Sequence, residues 1–258
     1  MSKHCLNCPR SCERDAAIGF CGAAEVVRCF RHRIEYGEET AISPSHLFYL
    51  SGCNLRCDFC IGEQSAIHPK TGHPLSRDFF EQALAWGRSR GAGNIQWVGG
   101  EPGIHLAFLI ELMNATPSLP PVVWKSNFYF WPETFELLRP CVDVFVADLK
   151  FGNNACAAAH CGVNDYLDVV CRALLKVYRH DPRRLIVRHL LLPGHFHCCF
   201  LPVVDWFARN IPEALFSLRD GYVPAGKAKS DPCLRHWLDA EDAANAKKIV
   251  AERCRRVA

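Results

Sequence analysis

From residue 46 onward, short apolar runs alternate with amphipathic stretches along the chain. Six of these runs are rich in β-branched or aromatic residues and nearly continuous in apolar character: His46–Ser51, Asn94–Val98, Val122–Ser126, Val142–Lys150, Leu185–Leu192 and Leu215–Arg219. Runs of this kind predict strands that are buried on both faces, as in a parallel sheet or a barrel.

The stretches between the runs predict helices. Ser76 is a suitable N-cap for the first of them, and Gly91 is a stop signal. Similar patterns cover about 104–115, 133–139, 165–179, 199–209 and 240–255. Six strands that alternate with helices predict parallel βα units and an α/β fold. Because a closed barrel needs eight such units, the count favours a partial, open (β/α)6 barrel.

The first 45 residues differ from the rest of the chain. They are rich in Cys, Arg and Gly and have little apolar periodicity, which predicts a loop-rich segment that a bound metal would organise. We therefore expect a cysteine-rich segment over 1–45, a barrel over 46–225, and a C-terminal extension with a helix over 226–258.

Composition narrows the class of protein. With 258 residues, 49% of them hydrophobic, the chain can bury a sizeable core. The formal net charge of +3 is too small to indicate nucleic-acid or membrane binding. We find neither a long apolar span nor an apolar leader after Met1, so we expect a cytoplasmic protein with no membrane and no nucleic-acid partner.

Cysteine is the outstanding residue type, with 16 in the chain. In an enzyme-sized chain from a reducing compartment, this number favours metal ligation or catalysis over disulfides. Half of the cysteines fall in the first 60 residues: Cys5, Cys8, Cys12, Cys21, Cys29, Cys53, Cys57 and Cys60.

Cys53, Cys57 and Cys60 follow the first predicted strand directly. Three thiolates so closely spaced can converge on one soft metal centre from a single loop. In a 4Fe-4S cluster, three protein ligands leave one iron open, and an open coordination position is typical of a catalytic metal. A structural zinc loop is the alternative interpretation.

A second motif, Gly99-Gly100-Glu101-Pro102, ends the second predicted strand. Glycines let a ligand approach the backbone closely, and the proline fixes the turn. Glu101 adds negative charge that suits a ligand ammonium group.

Together, the C-x-x-x-C-x-aromatic-C triplet and the Gly99–Pro102 segment resemble the two signature motifs of the radical S-adenosylmethionine (SAM) superfamily. The resemblance implies that Cys53, Cys57 and Cys60 hold a 4Fe-4S cluster whose open iron binds SAM. It further implies that Gly99, Gly100, Glu101 and Pro102 hold the SAM amino group. In that family, one electron cleaves SAM to methionine and a 5′-deoxyadenosyl radical.

The order of further motifs resembles uncharacterised homologues of pyruvate formate-lyase activating enzyme that carry an N-terminal C-x-x-C-P-R-x-C segment. These motifs are Cys5–Cys12, Gly19–Gly22, Asp148–Lys150 and Val187–Gly194, and the resemblance covers about 5–225. It implies five further SAM-contacting residues: Ser126, Asn127, Asp148, Lys150 and Arg188. A guanidinium suits the SAM carboxylate because it can bond both oxygens. A surface ion pair for Asp148–Lys150 and a barrel salt bridge for Arg188 are the alternatives.

Two positions depart from the activating enzyme. Lys125 stands where that enzyme has an acid belonging to a cation site, so we expect no cation there. Ile61-Gly62 replaces the usual polar pair after the triplet, so the exit of that loop toward the substrate is expected to differ.

The four cysteines Cys5, Cys8, Cys12 and Cys21 could close a complete site for a second iron–sulfur cluster or a zinc ion. The sequence does not separate the two metals. Cys29 and His4 are alternative ligands, and a reduced cysteine-rich loop without metal is the other interpretation.

Most of the later cysteines are expected to be small buried apolar residues. Four of them follow the fourth and fifth predicted strands, where substrate loops lie, and could act as a radical relay or as redox-active thiols: Cys156, Cys161, Cys198 and Cys199. His105 and His189 are expected to be structural.

The leading functional hypothesis is an oxidoreductase that abstracts hydrogen from a glycyl residue of a partner enzyme, with electrons from a donor such as flavodoxin or ferredoxin. A radical SAM enzyme that acts on a small metabolite is the second hypothesis. The third is a non-catalytic iron–sulfur carrier, against which Gly99–Pro102 argues because a carrier needs no SAM site.

Overall fold

The computed structural model describes residues 8–12, 19–22 and 26–258. They form two compact units. The first contains the described residues up to 56 together with 64–126 and 133–145, and the second contains 57–63, 127–132 and 146–258.

The first unit is built on five strands: β1 (Arg28–Glu35), β2 (Ser45–Leu50), β3 (His73–Pro74), β4 (Asn94–Gly99) and β5 (Val122–Ser126). Their order in the sheet is β3-β1-β2-β4-β5. β1 pairs antiparallel with β2 and β3, whereas β2, β4 and β5 are parallel. The carboxyl ends of these three parallel strands therefore lie at one edge of the sheet.

Helices of this part of the chain follow the predicted βα rhythm: α1 (Glu63–Ile67), α2 (Arg77–Ser89), α3 (Leu106–Asn114) and α4 (Thr134–Leu138). The Ser76 hydroxyl accepts a hydrogen bond from the Phe79 amide at 3.2 Å, which confirms the predicted N-cap of α2. The buried face of α2 brings Phe80 against Trp97 of β4, with ring centroids 5.2 Å apart.

β6 (Val144–Asp148) begins in the first unit and ends in the second. The second unit then continues with α5 (Asn154–Cys161), α6 (Tyr166–His180), β7 (Leu185–Leu190), α7 (Leu201–Asn210), β8 (Leu215–Arg219) and α8 (Ala240–Arg253). β7 and β8 are parallel neighbours. A π-helical turn, Phe196–Phe200, leads into α7.

Each of the six predicted strands coincides with an observed strand, namely β2, β4, β5, β6, β7 and β8. The predicted loop is wrong for Arg28–Glu35, which forms β1. This strand lies next to the two-residue β3, and its side chains are mostly half-buried or exposed. Its apolar pattern is therefore weak, because a strand near a sheet edge buries little. Within the described residues, none of the helices combines the length and apolar character needed to cross a bilayer.

Candidate active site

At the carboxyl end of β4 the chain makes a turn, and its backbone there passes very close to the backbone at Leu50 and Gly52. Gly99 has a φ of +120°, and a Cβ on it would lie 2.1 Å from the Leu50 nitrogen. A Cβ on Gly100 would lie 1.8 Å from the Gly52 carbonyl oxygen. Both positions therefore require glycine.

Backbone hydrogen bonds hold this turn against the loop that leads into the cysteine triplet. The Gly100 amide donates to the Leu50 carbonyl at 2.7 Å, and the Glu101 amide donates to the Gly52 carbonyl at 2.9 Å. The turn at the end of β4 is thereby fixed to the residue that directly precedes Cys53.

Glu101 is buried, with 1% of its surface exposed. Its carboxylate oxygen Oε1 accepts hydrogen bonds from the Gly103 amide at 2.8 Å and from the Ser126 hydroxyl at 2.7 Å. Buried charge is tolerated only with such partners. The structure thus brings together Glu101 and Ser126, two predicted site residues that end neighbouring strands.

Cys53 is also buried, and its amide donates to the Cys21 carbonyl at 3.0 Å. Its sulfur accepts a hydrogen bond from the Leu55 amide at 3.4 Å. Arg10 donates to the carbonyl of Asn54. Part of the cysteine-rich segment therefore packs on the start of the triplet loop.

Of the four N-terminal cysteines proposed as metal ligands, Cys5 lies outside the described residues, as does His4. Burial, with a smaller contribution from the nearby Cys21 and Cys12 and against hydrogen bonds that lower it, raises the pKa of the Cys8 thiol to about 11. The proposed second cluster or zinc site stays a prediction.

Cys57 and Cys60 belong to the second unit. The Cys57 sulfur lies 3.2 Å from the sulfur of Cys161, the last residue of α5. This sulfur–sulfur hydrogen bond, together with burial, raises the pKa of Cys57 well above its ordinary value. Burial and the neighbouring Cys57 also raise the pKa of Cys60. The sequence did not predict the contact with Cys161, because 104 residues separate the two cysteines.

The loop between Cys57 and Cys60 rests on the end of α5. The Asp58 amide donates to the His160 carbonyl at 3.0 Å. Phe59 is buried and meets the Phe151 ring edge-on, with centroids 5.9 Å apart. A buried apolar residue therefore lies between the two cysteines in the chain.

The residues at the end of β6 form a polar cluster. The Lys150 ammonium lies 2.8 Å from the Asp148 carboxylate. Burial lowers the pKa of Lys150, but the charges of Asp148 and Cys57 outweigh it, so the pKa stands well above its ordinary value. The Tyr166 hydroxyl bonds both backbone groups of this turn, donating to the Asp148 carbonyl at 3.0 Å and accepting from the Lys150 amide at 2.8 Å. Sequence reasoning missed Tyr166.

Three further predicted residues have defined places. Arg188 is buried in β7, with its carbonyl bonded to the Leu149 amide at 2.8 Å. The Asn127 side chain accepts from the Tyr129 amide at 2.9 Å. Lys125 lies 3.2 Å from Glu38, so the lysine that replaces the expected acid has an anionic partner.

The two histidines bond backbone carbonyls. His105 Nε2 lies 2.8 Å from the Ser51 carbonyl, and His189 Nδ1 lies 2.7 Å from that of Leu149. Burial lowers the pKa of His189 to about 4, so the ring is neutral at pH 7. These contacts are typical of structural residues.

The family model of the radical SAM superfamily matches residues 47–207, which include the triplet, the glycine turn and the polar cluster. The chain belongs to the radical SAM superfamily. It is 32% identical over 254 residues to an uncharacterized protein of Methanocaldococcus jannaschii, covering 96% of this chain and 74% of that protein.

Several solved structures share the fold. A radical SAM methyltransferase from Sphaerobacter thermophilus gives a TM-score of 0.62 at 13% identity, covering 84% of this chain and 66% of that one. A domain of pyruvate-formate lyase-activating enzyme from Bacteroides vulgatus gives a TM-score of 0.52 at 16% identity, covering 64% of this chain and 98% of that domain. SuiB of Streptococcus suis, bound to precursor peptide SuiA, gives 0.55 at 16% identity, covering 78% of this chain and only 43% of SuiB. The predicted α/β fold of the radical SAM type is confirmed, whereas the cysteine-rich N-terminal extension stays a prediction.

Membership of the radical SAM superfamily implies a 4Fe-4S cluster and SAM, and the described residues fit both groups. Thiolates are the usual ligands of iron–sulfur clusters, and the amide bond to the Cys53 sulfur is of the kind that tunes them. At the end of β4, the Gly103 amide and the Ser126 hydroxyl hold the buried Glu101 carboxylate in place, and such a charge suits a cationic ligand.

Proposed function

We propose that this protein is a radical SAM enzyme in which Cys53, Cys57 and Cys60 bind a 4Fe-4S cluster. In this proposal, the turn from Gly99 to Pro102 binds the SAM amino group. When bound, the cluster supplies the electron that cleaves SAM, and the resulting 5′-deoxyadenosyl radical abstracts hydrogen from a substrate.

The observation that carries the proposal is the burial of the Glu101 carboxylate and the hydrogen bonds that hold it. A carboxylate that is 1% exposed is costly unless it has partners or serves a ligand. Ser126 and Gly103 hold Glu101 at the strand end where ligands bind in α/β folds. The backbone bond to Gly52 ties it to the triplet loop. A non-catalytic carrier has no use for this arrangement.

The other residues have separate roles. Arg188 would bond the SAM carboxylate, because a buried guanidinium favours an anionic partner. Asp148 and Lys150 form an ion pair that can orient the polar end of the cofactor. Asn127 would add an uncharged polar contact to SAM. Phe59 would keep water from the cluster.

For the substrate, we propose a glycyl residue of a partner enzyme, with electrons from flavodoxin or ferredoxin. Support comes from the motif order of activating-enzyme homologues and from the likeness to the Bacteroides vulgatus domain. The Streptococcus suis neighbour binds a peptide, which is compatible with a protein or peptide substrate.

The test of the chemistry is anaerobic reconstitution with iron and sulfide, followed by dithionite reduction with SAM. We expect a reduced 4Fe-4S electron paramagnetic resonance signal that SAM perturbs, together with 5′-deoxyadenosine. A variant with alanine at Cys53, Cys57 and Cys60 should give neither, while Cys233→Ala, which changes an exposed thiol, should behave as wild type. A wild-type cluster that does not respond to SAM would sink the proposal.

Glu101→Gln separates the cofactor site from the cluster. The amide keeps an acceptor for Ser126 and Gly103 but removes the charge. Since hydrogen bonds to charged groups contribute about 1.5–3 kcal/mol, we expect SAM affinity to fall about 10- to 100-fold while the cluster signal stays.

The substrate is tested with a glycyl radical enzyme encoded in the same genome. The expected result is a protein radical signal, with deuterium transfer from labelled glycine to 5′-deoxyadenosine. SAM cleavage without such transfer would move the function to a small metabolite.

A further inference from the structure

Four soft ligand groups that have no role in the function proposed above meet in the second unit. Cys156 lies in α5, whereas His195, Cys198 and Cys199 lie at the turn after β7. Their ligand atoms all lie within 4.8 Å of one another.

The separations among Cys156, His195 and Cys198 are close to those of ligands of a single ion, and the Cys199 sulfur lies within 4.8 Å of each of these ligand atoms. The Cys156 sulfur lies 3.8 Å from the Cys198 sulfur and 3.8 Å from His195 Nδ1, and His195 Nδ1 lies 3.2 Å from the Cys198 sulfur. Zinc bonds of about 2.3 Å to sulfur and about 2.0–2.1 Å to nitrogen, at tetrahedral angles, set ligand atoms about 3.6–3.8 Å apart. In a 4Fe-4S cluster each thiolate binds a different iron, and in a 2Fe-2S cluster the four ligands divide between two irons, so in both the ligand atoms spread more widely than around one ion.

Asn153 joins the two segments that carry these ligands, α5 and the turn after β7, which we call the two arms. Its side-chain oxygen accepts from the Cys156 amide at 2.8 Å and caps α5. Its side-chain nitrogen donates to the Cys198 carbonyl at 2.6 Å and lies 3.3 Å from the Cys156 sulfur. The one side-chain amide of Asn153 therefore holds α5 and the turn after β7 together and donates a hydrogen bond to a sulfur, as groups that surround metal ligands commonly do.

The arms also touch through the backbone at Gly152. A Cβ there would lie 2.4 Å from the Cys199 carbonyl oxygen and 2.9 Å from its Cα. Only glycine permits this approach, so the closeness of the two arms belongs to the fold.

The π-helical turn sets the three ligands of the second arm on one side. The His195 carbonyl accepts from the Cys199 amide at 3.0 Å and from the Phe200 amide at 3.1 Å. Helical spacing brings residues three and four positions apart onto one face, which places Cys198 and Cys199 beside His195. Turns of this type are frequent at functional sites.

We propose that Cys156, His195, Cys198 and Cys199 bind one zinc ion. Three thiolates and one imidazole form a complete tetrahedral set, so the site is a closed, structural one that ties α5 to the turn after β7. Cys198 is exposed, which gives an ion access from solvent. This inference does not depend on the proposed radical chemistry.

The test is anaerobic titration of the full-length reduced protein with cobalt(II), whose tetrahedral thiolate complexes absorb strongly in the visible range. Three proteins are compared: wild type, the variant Cys156→Ser/Cys198→Ser, and the control Cys171→Ser/Cys233→Ser. The other cysteines, including the triplet and the N-terminal ones, are common to all three, so their contribution cancels. Zinc competition then measures displacement of the cobalt bands.

We expect wild type and control to bind one more equivalent of cobalt than Cys156→Ser/Cys198→Ser, and zinc to displace it. Equal uptake by all three proteins would overturn the proposal. A disulfide between Cys156 and Cys198 in the anaerobically reduced wild type, found by alkylation and mass spectrometry, would also overturn it.

A second variant covers the case in which the double variant does not fold. His195→Cys keeps four ligands, so the metal should still bind, but the cobalt bands should shift because a nitrogen ligand becomes a sulfur. Unchanged bands would show that His195 is not a ligand and would reject the site as proposed. Because the readout is metal binding, failure here is distinct from failure to cleave SAM.

Discussion

The glycine turn at the end of β4 and the zinc ligand group of the second unit bring polar atoms together by opposite means. At Gly100 the backbone passes the Gly52 carbonyl with no room for a side chain. The ligand group instead relies on side chains that reach toward one point, joined by the Asn153 amide. The first site is set by the main chain and resists any substitution, whereas the second can exchange one donor for another.

The largest effect is expected from Gly100→Ala. Its Cβ would lie 1.8 Å from the Gly52 oxygen, so the backbone must move, and we expect the free energy of unfolding to fall by more than about 4 kcal/mol. The control is Gly91→Ala, where φ is +79° but no atom lies within 4 Å of the new Cβ, so only about 1–2 kcal/mol is lost. Denaturant unfolding measures both. Equal stability of the two variants would contradict the close approach.

A pH dependence sharpens the comparison, because each unit contains a buried histidine, His46 in the first and His189 in the second. Burial lowers the pKa of each from 6.5 to about 4, with the neighbouring His32 contributing at His46. Between these values the unfolded chain binds more protons than the folded one. The stabilisation is therefore present above pH 6.5 and is lost as pH falls toward 4, by about 3 kcal/mol per histidine.

His46→Phe tests this dependence in the first unit. The His46 ring packs on Phe48, with centroids 4.3 Å apart, so phenylalanine keeps this packing but removes the hydrogen bond between His46 Nε2 and His32 Nδ1 at 3.0 Å. The variant should lose less stability than wild type between pH 7 and pH 4.5 in urea unfolding. An identical acid limb would exclude His46 as a source of the acid sensitivity.

A smaller effect is expected from Gly152→Ala, which pushes the two arms of the ligand group apart. We expect a loss of about 2 kcal/mol and a loss of the cobalt bands. Gly162→Ala, at a left-handed position in open space at the end of α5, should cost about 1 kcal/mol and leave the bands unchanged. Retained bands in Gly152→Ala would show that the approach of the arms is not needed for metal binding.

The smallest effect is expected from Ser126→Ala. It removes one of the hydrogen bonds to the buried Glu101 carboxylate while the Gly103 amide still donates to it, which should cost about 1 kcal/mol of stability. SAM affinity should fall several-fold. Ser126→Thr, which keeps the hydroxyl, should restore most of it. Titration calorimetry checks both variants, and an unchanged affinity in Ser126→Ala would mean that Ser126 does not orient Glu101 for SAM.

The features that could be predicted from the sequence are those that neighbouring residues in the chain determine. The triplet and Gly99–Pro102 are each readable within a few positions, and the apolar runs of buried parallel strands predicted six strands correctly. β1 was missed because its exposed and half-buried side chains give no clear period. The meeting of Cys57 with Cys161 depends on α5 folding back on the loop, which no local pattern shows.

The zinc ligand group shows the same limit. The sequence suggested that Cys156, Cys198 and Cys199 lie in substrate loops, but it did not include His195 or predict that they converge. A gap of 39 residues separates Cys156 from His195, and the contact that closes it is made by Gly152 and Asn153. Tertiary packing, rather than spacing, creates this site.

α5 carries a consequence for the order in which metals enter the protein. Cys156 and Cys161 lie five residues apart on this helix, about 7.5 Å along its axis. The first is a proposed zinc ligand, and the second contacts Cys57, a proposed cluster ligand. If zinc holds α5 in place, maturation becomes sequential: zinc enters during folding, and cluster assembly follows on a positioned helix. Cells starved of zinc would then accumulate a chain that accepts iron and sulfide poorly, even with both in supply.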